Sequence, residues 1–484
     1  MQNEILKLQP NHVWKYFNEI CQIPHPSKKE EKIIAYLLET GAKMGLETKR
    51  DEIGNVLISK PATKGKEQVT PVVFQSHMDM VCEKNNDTVF DFNTDAIQPC
   101  IDGEWVKAKG TTLGADDGIG MAIALALLED KSIEHGQIEC LFTVDEETGL
   151  SGAFALEADF MKGKMLLNLD SEDEGQFFIG CAGGKDTVVK IDYKKQAVPA
   201  DANAFSISVK GLKGGHSGDD INKGLGNANK ILNRILYTGT YEYDIAIAHI
   251  DAGNLRNAIA REGNAVVAVS KENSGKFVQF VEDFALTVKA ELRVTDPNVA
   301  ISIAPTAMPD FVIDDFTQSD LVDAVYACPH GVLAMSQDIE NFVETSTNLA
   351  SIKMTDTQII VTTSQRSSVE SKKEEACNMI AALFGLMDAD IEHSDGYPGW
   401  NPNPKSEVLN VLKQAYVNLF KKEPLVLAIH AGLECGLFAE KYPDMDMISY
   451  GPTLRGVHSP DEKLLIETVQ QVWDLTVEFL RILK

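Results

Sequence analysis

Val72-Val73-Phe74-Gln75-Ser76-His77-Met78-Asp79-Met80 is an apolar run that closes on a histidine and an aspartate two residues apart. Read as a strand, its side-chain period of two puts His77 and Asp79 on one face. In that geometry a carboxylate can bond the far nitrogen of an imidazole whose near nitrogen holds a metal. A single His-x-Asp arises easily by chance in 484 residues. Its weight comes from recurrence. Gln137 to Val144 reads as a strand that runs into Asp145-Glu146-Glu147-Thr148-Gly149, and Lys164 to Leu169 as one that runs into Asp170. Apolar strands alternating with helices indicate a parallel α/β sheet, whose ligands bind at the carboxyl ends of the strands.

Outward from this core, Asn11 to Gly45 reads as helical, with segments near His12 to Ile20 and from Lys28 to Met44. Ser27 followed by Glu30 has capping-box spacing. Glu52 to Lys60 reads as a further strand. Gly114-Ala115-Asp116-Asp117-Gly118-Ile119-Gly120 leads into the apolar helix Met121 to Leu128. Asp117 suits a helix cap, the ordinary role for aspartate there; the adjacent aspartate then needs another role.

After Gly183-Gly184 the pattern changes to alternating strands, the loop Gly214-Gly215-His216-Ser217-Gly218 and a helix from Asn229 to Tyr237. Asn254 through Ser270 aligns without gaps on Asn348 through Ser364, an offset that suggests duplicated α+β halves. Ser394 to Pro404, rich in Pro, Gly and Asn, reads as a linker. Beyond it the α/β pattern resumes, with Met445 to Tyr450 as a strand leading to Gly456-Val457-His458-Ser459. The expected architecture is α/β with two domains: a zinc-peptidase-like α/β catalytic domain (1–186 and 395–484) with an inserted α+β lid domain (187–394).

Composition narrows the function. Lys+Arg of 45 against Asp+Glu of 72 gives a net charge of −27, which disfavours nucleic acid and anionic membrane as partners. The N-terminal Met-Gln-Asn-Glu-Ile-Leu-Lys-Leu lacks a basic region followed by an apolar one, so no signal peptide is expected. No uninterrupted apolar run reaches the roughly 18 residues of a membrane span. The eight cysteines are scattered with no Cys-x-x-Cys pair, which fits reduced thiols in the cytoplasm.

The candidates at strand ends and loops are His77, Asp79, Asp116, Glu146, Glu147, Asp170 and His458. Imidazoles and carboxylates without cysteine suit zinc, cobalt or manganese in a catalytic site. Five ligands around one tetrahedral ion leave no open position, whereas two ions sharing a bridging carboxylate use them economically. Two metals on one water are a hydrolase arrangement, and a carboxylate beside that water is its general base. The pair Glu146-Glu147 can supply both a ligand and a base.

His77-x-Asp79, Gly114-Ala115-Asp116-Asp117-Gly118, Asp145-Glu146-Glu147-Thr148-Gly149, Asp170 and Gly456-Val457-His458-Ser459 together resemble the M20 metallopeptidase family, in order and spacing, from about residue 10 to the C-terminus. The resemblance implies two Zn2+ (or Co2+ or Mn2+). His77 and Asp170 would bind one ion, Glu147 and His458 the other, with Asp116 bridging. It implies Glu146 as general base and Asp79 as the residue orienting His77. In the inserted domain it places the lid histidine on His216, the substrate-binding asparagine on Asn257 and the carboxylate-holding arginine on Arg366. Ala260 stands where the family's asparagine motif usually has proline. Arg366 offers a bidentate fork to a free carboxylate, a His or Asn donor suits an oxyanion, and domain closure would exclude water.

The activity so implied is hydrolysis of dipeptides with free termini, Xaa-His substrates included, by a cytoplasmic homodimer in which His216 acts in its own or the partner's site. A tripeptidase, carboxypeptidase or N-acyl amino acid deacylase of the same chemistry is the alternative. A non-catalytic binder on a peptidase scaffold would lack a ligand or the base, and none is missing. His430, after a strand, stays open between pocket lining and helix-start structure, and Gly432 is a candidate for a backbone N–H facing substrate. His12, His25, His135, His249, His330 and His393 read as surface or satisfied core residues.

Overall fold

The run at Val72 forms the strand Val72–His77, all six residues buried. The structure, a computed structural model, describes residues 2–484. Contacts divide the chain into two units: one comprises the chain up to Gly180, Pro402–Ala428 and Leu433–Lys484, the other Cys181–Asn401 and Ile429–Gly432.

The first unit is built on a sheet that, among the described residues, has eight strands. Their order is Glu47–Arg50, Val56–Lys60, Ile138–Thr143, Val72–His77, Met165–Asn168, Asp446–Ser449, Gln176–Cys181 and Leu425–Ile429. The middle is parallel. Val72–His77 runs parallel to Ile138–Thr143 and Met165–Asn168, and Asp446–Ser449 runs parallel to Met165–Asn168. The flanking pairings recorded at Glu47–Arg50, Val56–Lys60 and Gln176–Cys181 are antiparallel, so the expected all-parallel sheet is mixed. The parallel strands are the near-continuous apolar runs, as sheets covered on both faces require. The helix Ala115–Glu129 is apolar all round and buried along nearly its whole length. It packs on Val72–His77 and on the helix Asn11–Cys21.

Two local expectations are corrected. The strand stops at His77, so Asp79 meets His77 through the turn leaving the sheet and not by strand alternation. Ser27 does not cap a helix: that helix is Glu31–Met44, without a side-chain cap, and the Ser27 hydroxyl instead donates to Asp79 Oδ2 at 2.7 Å. The capping-box match was local, and a buried carboxylate distant in sequence outcompeted it.

The second unit carries an antiparallel sheet in the order Ala300–Pro305, Ala202–Lys210, Gly263–Ser270, Ala246–Gly253, Val343–Met354, Gln358–Ser367, Gly183–Asp192, Asp390–His393, with Gly331–Met335 beside Val343–Met354. The repeat is visible in this order. Ala202–Lys210, helix Ala228–Tyr243, Ala246–Gly253, Gly263–Ser270, helix Lys271–Glu291 and Ala300–Pro305 form one half. Gly183–Asp192, helix Asp315–Ala327, Val343–Met354, Gln358–Ser367, helix Glu370–Gly385 and Asp390–His393 form the other, with the first half inserted after its first strand. The halves join where Asp251, Ala252 and Gly253 pair with Lys353, Ile352 and Ser351. Their shared core includes Ile207, Val267, Phe277, Leu349, Val361 and Phe384, all fully buried.

The stretch expected as a linker is tied into this unit. Gly184 and Tyr397 exchange backbone hydrogen bonds, as do Cys181 and Trp400. Small residues let the two backbones approach: a Cβ on Gly183 would lie 2.5 Å from the Tyr397 carbonyl oxygen and 2.6 Å from Pro398 C.

Candidate active site

Three parallel strands deliver side chains at their carboxyl ends. His77 ends its strand, Asp145-Glu146-Glu147 follow Ile138–Thr143, and Asp170 follows Met165–Asn168. His458 comes from the loop between the paired strands Leu454–Arg455 and Lys463–Leu465, with φ of 61°. Asp116 lies on the turn before the buried helix. The five meet. His77 Nε2 is 3.2 Å from Asp116 Oδ1 and 3.7 Å from Asp170 Oδ1. His458 Nε2 is 3.1 Å from Asp116 Oδ2 and 3.1 Å from Glu147 Oε2. Asp116 thus turns one oxygen to each imidazole. Donor atoms of His77, Asp116 and Asp170, and of Asp116, Glu147 and His458, each fall within 4.8 Å of one another, as do those of His77, Glu146 and Glu147.

Asp116 is held by its backbone. The peptide Asp116-Asp117 is cis. The buried Glu462 carboxylate accepts the N–H groups of Leu113 (2.6 Å), Gly114 (3.1 Å), Ala115 (2.8 Å) and Asp116 (3.3 Å). Because Glu462 closes the loop that carries His458, it fastens that loop to the Asp116 turn. Asp117 faces away and accepts Gly120 N–H at 3.2 Å, the capping role its position suggested; a Cβ on Gly120 would overlap its carboxylate.

Asp79 serves more than His77. Its carboxylate accepts the N–H groups of Glu146 at 3.0 Å and Glu147 at 3.3 Å. His77 Nδ1 lies 3.1 Å from the Asp79 carbonyl oxygen and 3.5 Å from its carboxylate. Below the strand ends runs a buried polar ladder. Glu434 accepts from Gln75 at 2.7 Å and Thr143 at 2.8 Å, and Gln75 accepts from Asn168 at 2.6 Å. Burial pushes Glu434 up to about 7.

The electrostatics match a cation-binding donor set. Burial, with Asp116 among its neighbours, holds the Asp170 carboxyl well above the usual carboxylate range. Burial likewise lifts Glu146 to about 8, aided by Glu434, Glu147 and Asp116 against the pull of His77. Hydrogen bonds to Asp116 and Glu147 raise His458 to about 11. Burial opposes a charged His77 ring, but Asp170, Asp116 and Asp79 keep its pKa well above the usual value. Glu147 Oε1 is buried without a hydrogen-bond partner. Crowded buried carboxylates and an orphaned oxygen are what divalent cations neutralise, and two imidazoles with three carboxylates fit two hard-to-borderline ions.

In the second unit, His216 and Asn257 lie on adjoining loops: Ser217 N–H donates to Asn257 O at 2.9 Å and Ile259 N–H to Gly215 O at 2.9 Å. His216 Nδ1 accepts the N–H groups of Asp219 at 3.1 Å and Gly218 at 3.3 Å. The Asp219 carboxylate stands 3.4 Å from the same Nδ1. Asn348 donates to the carbonyls of Arg256 and Ala258, fixing the Asn257 segment from both sides. Arg366 is buried, with Nε 3.3 Å from Ser217 Oγ and Nη1 2.9 Å from Tyr397 Oη. Gly432 packs against that tyrosine; a Cβ there would lie 2.8 Å from ring atom Cε2. His430 is buried with Nε2 2.7 Å from Ser346 Oγ, and burial, then Arg366, pushes it down to about 3.

Sequence reasoning missed Glu462, Glu434, Asn348 and Tyr397. An aromatic residue in a Pro/Gly stretch was a usable signal for the last; the others carry none beyond being polar. His12 packs edge-on against Trp473 and His135 Nδ1 bonds Gly136 O at 2.6 Å, but Nε2 of each ring is buried without a hydrogen-bond partner, so neither is the fully satisfied core residue expected.

Residues 73–481 match the sequence pattern of the peptidase family M20/M25/M40. The chain is 44% identical, over 99% of its own length and 99% of the relative's, to the cytosol non-specific dipeptidase of Escherichia coli K12. The crystal structure of aminoacylhistidine dipeptidase from Vibrio alginolyticus superposes with a TM-score of 0.94 at 45% identity, covering 99% of this chain and 98% of that one. An aminopeptidase from Bacillus cereus, at 19% identity and a TM-score of 0.57 over 98% of both chains, shares the fold.

Proposed function

The chain belongs to the M20/M25/M40 peptidase family, and on that premise we propose that it is a two-metal dipeptidase hydrolysing dipeptides with free termini, Xaa-His substrates included. The observation that carries this reading is Asp116, whose two oxygens each face an imidazole that a further carboxylate also faces. Identity of 44% across the full length to a dipeptidase supports the substrate class.

His77 and Asp170 would hold one ion, Glu147 and His458 the other, with Asp116 shared; zinc suits these donors, as do cobalt and manganese. When bound, such ions polarise the scissile carbonyl and lower the pKa of water. Glu146 takes the proton of the attacking water and returns it to the leaving amine, a role suited to a carboxyl of raised proton affinity. Asp79 fixes His77 and the Glu146-Glu147 backbone. In the second unit we assign His216 and Asn257 to the carbonyl oxygen, Arg366 to the free carboxylate and the Gly432 N–H to the substrate backbone.

Glu146→Ala tests the mechanism: turnover is abolished while bound zinc stays nearly unchanged, and surviving activity means the base is wrong. Amino acids released from dipeptides, tripeptides and acylated amino acids test the substrate class; tripeptides cleaved faster than any dipeptide would overturn it. A homodimer and a cytoplasmic location belong to the same proposal. Among the described residues no helix is long and apolar enough to cross a membrane. Light scattering, with mixing of His216 and Glu146 variants, reads the assembly and whether a site is shared.

A further inference from the structure

Tyr397 is seated with unusual care for a residue in a Pro/Gly stretch. Its backbone exchanges hydrogen bonds with Gly184 at 2.8 and 3.1 Å. Its carbonyl also accepts from the buried Lys373 ammonium at 2.7 Å. Two glycines make room for the ring: a Cβ would come within 2.7 Å of ring atom Cζ at Gly184 and 2.8 Å of Cε2 at Gly432. Ring position is therefore fixed from the backbone, from a lysine and from two surfaces without side chains.

The polar tip of this ring meets Arg366. A guanidinium has donors only, so at 2.9 Å the phenol oxygen is the acceptor from Nη1. The phenol's own proton must then point elsewhere: among the described residues the bond recorded at its oxygen is the one it accepts, although burial, with Cys181 and the Asp186 carboxylate both near enough to add to it, raises the phenol's pKa against the pull of Arg366. Arg366 is in the same condition. Ser217 takes Nε and Tyr397 takes Nη1, which leaves Nη2 without an acceptor among the described residues. Both side chains line one cavity of about 200 Å³, together with Asn257 and Ser364. Asp186, also in its wall, is paired with Arg256 at 3.2 Å. Two unpaired donors on neighbouring groups, one of them a fixed cation, are complementary to a carboxylate.

Resting on the dipeptidase reading, we propose that Tyr397 is a specificity-determining residue: its phenol O–H donates, beside Arg366 Nη2, to the free C-terminal carboxylate of the substrate. The carboxylate is thus read by two residues, and a side chain at Gly184 or Gly432 would crowd the ring.

Tyr397→Phe keeps the ring and removes the donor. It is assayed on a dipeptide and on the same dipeptide carrying a C-terminal amide. One hydrogen bond to a charged group corresponds to about tenfold in binding, so KM for the free acid rises about tenfold with little change in kcat. KM for the amide stays as in the wild type, and the acid-over-amide preference falls by the same factor. In an Arg366→Met background the Tyr397→Phe change still raises KM for the acid. Loss of its effect there means that Tyr397 acts only by holding Arg366, which overturns direct contact. Full activity with an unchanged acid-over-amide preference overturns this inference alone; failure of the wild type to cleave any dipeptide overturns the functional reading with it.

Discussion

The Asp79 carboxylate accepts the backbone N–H of Glu146 at 3.0 Å. The residue whose sequence spacing suggested a partner for His77 thereby sets the height of the proposed base as well. Its second oxygen takes Ser27 and the Glu147 N–H, so all the strong donors around it require an acceptor. In Asp79→Asn the new NH2 faces an N–H donor, that of Glu146 or that of Glu147. Supporting groups of this kind are worth 10–100-fold in activity. We expect kcat to fall by about that factor, with metal stoichiometry retained. Metal loss in step with activity would mean that Asp79 serves His77 alone.

Glu462 presents one carboxylate to four backbone N–H groups. Glu462→Gln keeps one oxygen and turns an NH2 group toward the others. Each buried donor left unmatched costs about 1–3 kcal/mol. The variant should lose on the order of 3 kcal/mol in denaturant unfolding, and zinc titrations should show weaker binding of the ion that Asp116 and His458 are proposed to share. Unchanged zinc affinity would show that the Asp116 turn holds its shape without this anchor.

The proposed metal-site residues were legible because they cluster where apolar runs stop: His77 ends one buried strand, and Glu147 and Asp170 follow two others. Asp116 and Asp117 were legible as a pair needing two roles. What was not legible depends on long-range pairing. Glu462 meets Leu113 from 349 residues away, and Ser27 has a local capping signature that tertiary contact overrides. Tyr397 looked like linker because Pro, Gly and Asn mark irregular backbone, and irregular backbone can still be rigid where glycines let two chains touch. Ile429–Gly432, four residues that join the second unit, carry no compositional mark at all. The repeat, by contrast, survived low identity, because both halves preserve the order of strand and helix.

Chelation should destabilise the first unit, and more at alkaline pH. Burial raises Glu146 to about 8 and Asp170 well above the ordinary range. An acid whose folded pKa exceeds its unfolded value loses stability as pH rises from the unfolded to the folded pKa. For Glu146 that window runs from 4.5 to about 8. The raised pKa of His458 acts in the same direction above 6.5. Bound cations offset the carboxylate charge and add RT ln(1 + [L]/Kd). Melting midpoints of chelated protein should therefore drop between pH 6 and pH 8, and those of zinc-loaded protein should not. Parallel curves would refute this account of the charge cluster.

His330 makes the second unit acid-sensitive. Its Nδ1 lies 3.3 Å from Leu349 N–H, which it accepts, so protonation would set donor against donor. Burial lowers its pKa to about 4, and Lys230 adds to this. A histidine depressed in the folded state loses stability as pH falls below its unfolded value of 6.5, down to the folded pKa. Between pH 6.5 and pH 5 the loss is about 2 kcal/mol. His330→Gln retains an acceptor for Leu349, and its unfolding free energy should fall less over that interval. An NMR titration showing the ring charged at pH 6 would contradict this.

Gly432 admits two explanations, and one cycle tests the second. Its N–H was read as a substrate contact, whereas its missing Cβ makes room for Tyr397. Gly432→Ala preserves the N–H and pushes on the ring, at 2.8 Å from Cε2. If space is what matters, the substitution should raise KM for free-acid dipeptides and spare the amides. In a Tyr397→Leu background, where no ring remains to displace, the same substitution should add little. Contacting residues couple by about 0.5–3 kcal/mol in such cycles, a two- to hundredfold departure from additivity in KM. Strict additivity would show that the Tyr397 ring is not what the missing Cβ at 432 makes room for. The N–H is common to both variants, so the cycle isolates the missing Cβ and decides whether position 432 must be glycine to seat the ring.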